Sequence, residues 1–176
     1  MGCLRATVAL VAVAPAVLFG CGWQPLYADP ETGPASEELR AIKVSPIPER
    51  IGQRLEIALR NSLNPSGEPT PPRYLLSTTL ITALGNLGIQ SQGLATLGQI
   101  DAYASYKLVD LQNNATLLTN TVHVANSFDL NPNEYSTVVG EDDARNRCVA
   151  ELDQEIVTRL TLFMQRRIAE KGSKPG

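Results

Sequence analysis

The apolar positions of this chain fall into runs of different period. Residues 6–19 (ATVALVAVAPAVLF) form one uncharged block. Residues 22–38 have no period and are rich in Gly, Pro and polar residues, which predicts an extended tether. Ala41-Ile42-Lys43-Val44 predicts a short first strand, closed by Pro46 and Pro48. From Glu49 to Leu63 the residues Ile51, Leu55, Ala58, Leu59 and Leu63 recur at spacings of three and four, placing them on one face of a helix. Residues 73–84 (RYLLSTTLITAL) lack helical spacing and predict a strand. Residues 94–109 set Leu94, Ile100, Ala102, Ala104, Tyr106 and Leu108 against Gln99, Asp101, Ser105 and Lys107. After a turn at Gln112-Asn113-Asn114, Leu118, Val122, Val124 and Phe128 alternate with Thr119, Thr121, His123 and Ser127. Both patterns predict antiparallel strands with one buried face.

A long helix is expected from Glu134 or Ser136 to Lys171, with Gly140 offsetting its first turns and a buried stripe of Cys148, Val149, Leu152, Ile156, Leu160 and Phe163. Its acids Glu141, Asp142 and Asp143 lie early and Arg166, Arg167 and Lys171 late, as the helix dipole favours. The expected fold is therefore α+β, in the order β-α-β-β-β-α: a single sheet of about four strands, mostly antiparallel, with two amphipathic helices packed on one face.

Length and composition narrow this to one domain. The 176 residues fit a single unit, and 43% apolar with 19% charged residues is the ordinary globular range. A mean hydropathy of −0.07 excludes a multi-pass membrane protein. The net charge of −3, from 15 Lys+Arg against 18 Asp+Glu, gives no basis for holding a nucleic-acid backbone.

The apolar block predicts an address. It follows Arg5, is interrupted by Pro15 and is too short for a hydrocarbon core about 30 Å thick, so residues 1–20 predict a secretion signal. Leu18-Phe19-Gly20-Cys21 resembles a bacterial lipobox, which makes Cys21 the lipidated N-terminus of the mature chain, residues 21–38 its tether, 39–171 the domain and 172–176 a disordered tail. Phe19 is bulkier than the residue usual at that position. Several acyl chains on one cysteine anchor firmly, at about 0.8 kcal/mol per buried methylene. Gly22, rather than Asp, after the cysteine points to the outer membrane. Cys148 is then the one free thiol, expected as a small buried residue on a helix.

Enzymatic chemistry finds little footing. Nucleophilic catalysis needs a base near Ser or Cys, and the single histidine, His123, falls mid-strand on the polar face. The glycines of 84–98 match neither a dinucleotide nor a P-loop pattern. Glu141, Asp142 and Asp143 are consecutive on a helix and point apart, which suits a solvated helix start better than a metal. No catalytic residue, metal or cofactor is expected.

One feature exceeds the ordinary. From Leu75 through Ile100 there is no Asp, Glu, Lys, Arg or His, although exposed strands normally carry charges that block edge pairing. Either this hairpin is covered by a partner, or it is a strand pair buried in its own domain.

Several segments together resemble the LptE family of LPS-assembly lipoproteins. Cys21-Gly22-Trp23-Gln24-Pro25-Leu26-Tyr27 resembles the family's opening, and Arg50 through Leu55 with Leu59 through Leu63 its first helix. Ala102 through Asp110 resembles its third strand, and Asp143-Ala144-Arg145 with Leu152 and Ile156 its last helix. The resemblance implies a non-enzymatic outer-membrane lipoprotein that plugs and helps assemble the β-barrel LptD and assists lipopolysaccharide insertion at the cell surface. It implies a lumen-facing set of Leu84, Gly85, Asn86, Gln90, Gln92, Leu94 and Thr96. It also implies contact with lipopolysaccharide through basic side chains; no cation lies between Arg73 and Lys107, so Arg73, Lys107 and Lys43 are the nearest candidates. The alternative is a periplasm-facing lipoprotein that binds a small ligand or peptide without a barrel.

Overall fold

The computed structural model describes residues 34–89 and 95–172. Among the described residues seven elements follow one another: α1 (Pro34–Arg40), β1 (Ile42–Val44), α2 (Arg50–Leu63), β2 (Tyr74–Ile89), β3 (Ala95–Asp110), β4 (Ala115–Asp129) and α3 (Glu134–Gly172). They build one four-stranded sheet in the order β1-β2-β3-β4. β1 runs parallel to β2, with α2 as the crossover, and the other two pairs are antiparallel. The α+β arrangement read from the sequence holds, with one helix more than expected.

That extra helix corrects the tether. Residues 34–38 belong to α1 rather than to an extended leash, and the compact unit begins at Pro34. Its sequence, PASEELR, offers two apolar residues, Ala35 and Leu39, that pack against the core, and Ser36 is buried beside them. Seven residues are too few to stand as an isolated helix, so α1 is held by tertiary contacts.

Alternation decides what β3 buries. Ile100, Ala102, Ala104, Tyr106 and Leu108 point at the helices and are buried, while Tyr103, Ser105 and Lys107 stand exposed on the opposite face. Onto the same side fall Tyr74 and Leu76 of β2, Val122 and Phe128 of β4, and Leu55, Leu59 and Leu63 of α2. The stripe of α3 is Ala144, Cys148, Leu152, Ile156, Leu160 and Met164, one residue in four. Phe163, expected to end it, is only partly buried, because the four-residue step reaches Met164 instead. Gly140 does not offset the helix, which runs through it; with no side chain there, Phe128 Cβ lies 3.7 Å from where a Cβ would stand.

The lengths of these elements match. The 16 residues of β2 and of β3 extend roughly 53 Å, and the 39 residues of α3 about 58 Å, so a single helix spans the sheet from end to end. The three described helices lie on one side, and among the described residues none covers the other side of the sheet. Between β3 and β4 the chain turns through Asn114, whose φ of 54° lies in the left-handed region that Asn tolerates.

Candidate functional site

The uncharged hairpin sits at one end of the sheet. β1 ends opposite Leu76, whereas β2 continues to Ile89 paired only with β3, so its outer part has no neighbour on the far side among the described residues. Ile81, Thr82, Ala83, Leu84, Gly85 and Asn86 are all exposed, although odd and even residues point to opposite faces. Ile81 is 64% and Leu84 58% exposed. For residues 81–86 a strand pair buried in its own domain is therefore excluded. Their partners in β3 are better covered: Ile100 and Ala102 are buried, and Phe128 of β4 closes over Gly98. The first turns of α3 reach the same end and expose Tyr135, Val138 and Val139.

Of the residues expected to face a partner, Leu84, Gly85 and Asn86 lie together on this ribbon. Gln90, Gln92 and Leu94 lie outside the described residues, as does Cys21. Thr96 falls within β3, opposite the end of β2, and its side chain is not among those described.

The candidate cations do not form one site. Lys43 and Lys107 share the open face: Lys43 pairs across β1–β2 with Leu75, and Lys107 lies between Ser77 and Thr119. Lys43 Nζ is 3.8 Å from Glu68, an exposed pair. Arg73 is committed elsewhere. It donates to Glu38 Oε1 at 2.7 Å, and its guanidinium lies 5.1 Å from the centre of the Tyr74 ring. Tyr74 OH donates to the other oxygen of Glu38 at 2.6 Å. Arg167 of α3 stands 5.7 Å from the same ring and 3.5 Å from the buried Asp110, which accepts from the Gln112 N–H at 3.0 Å. This network ties α1, β2, β3 and α3 together at the end opposite the hairpin. Burial, helped by the hydrogen bond to Glu38, pushes the Tyr74 phenol up to about 12.

The acids early in α3 serve the helices. Asp142 accepts from Arg54 of α2 at 3.0 Å, Glu141 pairs with Arg145, and Asp143 with Arg147. Cys148 is buried, its Sγ 3.5 Å from Asn126 Nδ2, and burial raises its thiol pKa, the opposite of activation.

Sequence patterning placed His123 on the polar face but missed its company. Its ring stacks on Tyr103 with centroids 4.3 Å apart, and Nε2 lies 2.9 Å from Asp101 Oδ1. Gln99 Nε2 donates to Asp101 as well, and these bonds hold the Asp101 carboxyl below its usual range. The signal was available: Tyr103 and His123 share a parity in neighbouring strands, but the register that sets them opposite each other depends on the turn.

The surface clefts near these features are open. One of about 580 Å³ lies beside Arg50, Val139, Asp142 and Asn146, and another of about 480 Å³ between Leu130, Glu134 and Val138.

No family model and no curated protein matches the chain. Solved structures do. A protein of Caulobacter crescentus CB15, provisionally described as a lipoprotein, superposes with a TM-score of 0.61 at 18% identity, covering 82% of this chain and all of its own. The minor lipoprotein of Acinetobacter baumannii gives 0.57 at 15% identity, over 69% of this chain and 90% of its own. Lipoprotein B of Nitrosomonas europaea gives 0.57 at 14%, over 70% and 83%. At these identities the likeness is one of fold: this chain folds as bacterial lipoproteins do.

Proposed function

We propose that the chain is a lipoprotein anchored in the outer membrane through Cys21, and that it seats its uncharged hairpin in the lumen of the β-barrel LptD as a lipopolysaccharide-assembly lipoprotein of the LptE kind. Its role is non-enzymatic. It plugs the barrel, helps it assemble and assists lipopolysaccharide insertion at the cell surface.

The observation that carries this reading is the exposure of residues 81–86 on both faces of a strand stretch that carries no charge. An open strand edge normally carries a charge or a proline to prevent pairing, and a ribbon bound for bulk water would be expected to keep one. Inside another protein's wall the requirement reverses, because a charge withdrawn from water without a partner is costly, while neutral Thr, Asn and Gly can exchange hydrogen bonds with the wall. For lipopolysaccharide, Lys43 and Lys107 on the open face are the candidates that remain, since Arg73 is held in the network at the other end.

Purification of the native membrane complex, with its partner identified by mass, tests the reading. Recovery of a large outer-membrane barrel supports it. Recovery of the chain alone, with a small molecule bound at one of its clefts, favours the ligand-binding alternative.

A further inference from the structure

We propose that the free edge of β2 pairs with β2 of a second copy of this chain, antiparallel about Thr82, joining two four-stranded sheets into one of eight strands. The inference does not need the barrel: it concerns the chain when no barrel holds the hairpin, and the two occupants would compete for one edge.

The direction of the backbone groups comes first. Tyr74 N–H donates to Ala41 O, and Leu76 O accepts from Ser45 N–H, so even-numbered residues of β2 aim their peptide groups away from β3. The β2–β3 register runs unbroken from Tyr74↔Asp110 to Leu87↔Leu97, so the alternation persists. Thr78, Leu80, Thr82, Leu84 and Asn86 therefore present N–H and C=O outward, beyond the end of β1 at Val44.

The opposite edge of the sheet is treated differently. On β4, Arg147 donates to Ser127 O at 2.9 Å and Arg159 to Thr121 O at 3.3 Å, while Asn120 Oδ1 accepts the Thr121 N–H at 2.8 Å. Two arginines of α3 thus cap the outward carbonyls and set charge along that edge, a common defence against strand addition. Among the described residues β2 has no such guard, and no charge or proline occurs from Leu75 to Ile100.

What fits this edge follows from its own sequence. Outward peptide groups must meet outward peptide groups, so even residues pair with even residues. With the axis at Thr82, Leu80 faces Leu84 of the second copy, Thr78 faces Asn86, and on the open face Ile81 faces Ala83; the pairing stops at Asn86, because Gly88 of the second copy would otherwise stand opposite Leu76, whose carbonyl the Ser45 N–H already fills. Moving the axis to Ile81 sets Leu80 against Thr82 and Leu84 against Thr78; moving it to Ala83 sets Leu84 against Thr82 and Leu80 against Asn86. Of these three registers the Thr82 one alone gives both leucines an apolar partner, and in it no charge meets a charge. Ile81 and Leu84, the two most exposed aliphatic side chains among those described in β2, are both covered.

The test is disulfide trapping of the full chain in membranes of a host without its barrel. The Thr82 pair would lie at a Cα separation of about 5.5 Å, within disulfide reach. Thr82→Cys should give a reducible species of twice the chain's mass under mild oxidation, and Thr121→Cys, on the guarded edge, should stay monomeric. Chains carrying Leu80→Cys and Leu84→Cys should cross-link as a mixture more than either does alone, and adding Leu84→Lys to Thr82→Cys should lower the dimer yield several-fold. A monomeric Thr82→Cys chain with native protease resistance, or equal cross-linking at positions 82 and 121, overturns the proposal. If Thr82→Cys loses that resistance, the mixed pair decides in the same way. Supplying the barrel separates the two readings: a dimer that forms without the barrel and disappears with it supports both, and one that persists unchanged leaves the pairing standing and sinks the barrel reading.

Discussion

Arg73 and Glu38 form a 2.7 Å ion pair that pins a seven-residue helix to the second strand, with Tyr74 OH on the same carboxylate. An arginine employed this way supports the fold. Arg73→Ala should cost about 1–3 kcal/mol in denaturant unfolding, since partly buried hydrogen bonds to charged groups are among the stronger ones. Lys107→Ala, on the open face, should cost less than about 0.5 kcal/mol.

The same network predicts alkaline behaviour. Tyr74 holds its proton to about 12 in the folded chain against 10.0 in the unfolded one, so between these values the folded state binds more protons. Stability from this group is full below pH 10 and falls as pH rises towards 12. Melting temperatures across that window should decline less steeply for Tyr74→Phe than for the parent.

Asp153 predicts an effect in the acid range. Burial on α3 raises its carboxyl pKa, and the Ser62 hydroxyl, donating at 2.7 Å, only partly offsets that. Both states are protonated well below 3.8, and above it the ionised form burdens the folded state. Asp153→Asn should therefore be more stable than the parent at pH 7, with the gain vanishing near pH 3 in urea titrations.

Two glycines of the ribbon should respond in opposite ways. A Cβ on Gly98 would stand 2.5 Å from the Phe128 ring, whereas one on Gly85 meets nothing within 4 Å. Gly98→Ala should lose about 1–3 kcal/mol through overpacking, and Gly85→Ala should be neutral or slightly stabilising, read by thermal melts.

How legible these features were follows from how many faces each element buries. β3 and β4 each turn one face to the helices, so their alternation is plain in the sequence, and α2 and most of α3 declare themselves by one buried stripe. β2 was harder: from Ile81 to Asn86 neither face is buried, and no alternation survives to be read there. α1 carries two apolar residues and owes its place to Glu38 and its contacts, which no local pattern encodes. The neutrality of 75–100 was visible at once, but its exposure was not, because an uncharged strand reads alike in a core and in a pore.

The most direct measurement is photo-cross-linking from position 86 in living cells, using the lipidated chain expressed at its natural level. Asn86 is exposed and lies near the end of the described ribbon. The account predicts an adduct with a large outer-membrane barrel, lost when Cys21→Ala prevents anchoring. Free reaction of Asn86→Cys with a water-soluble thiol reagent, with no barrel adduct at that position, would contradict it.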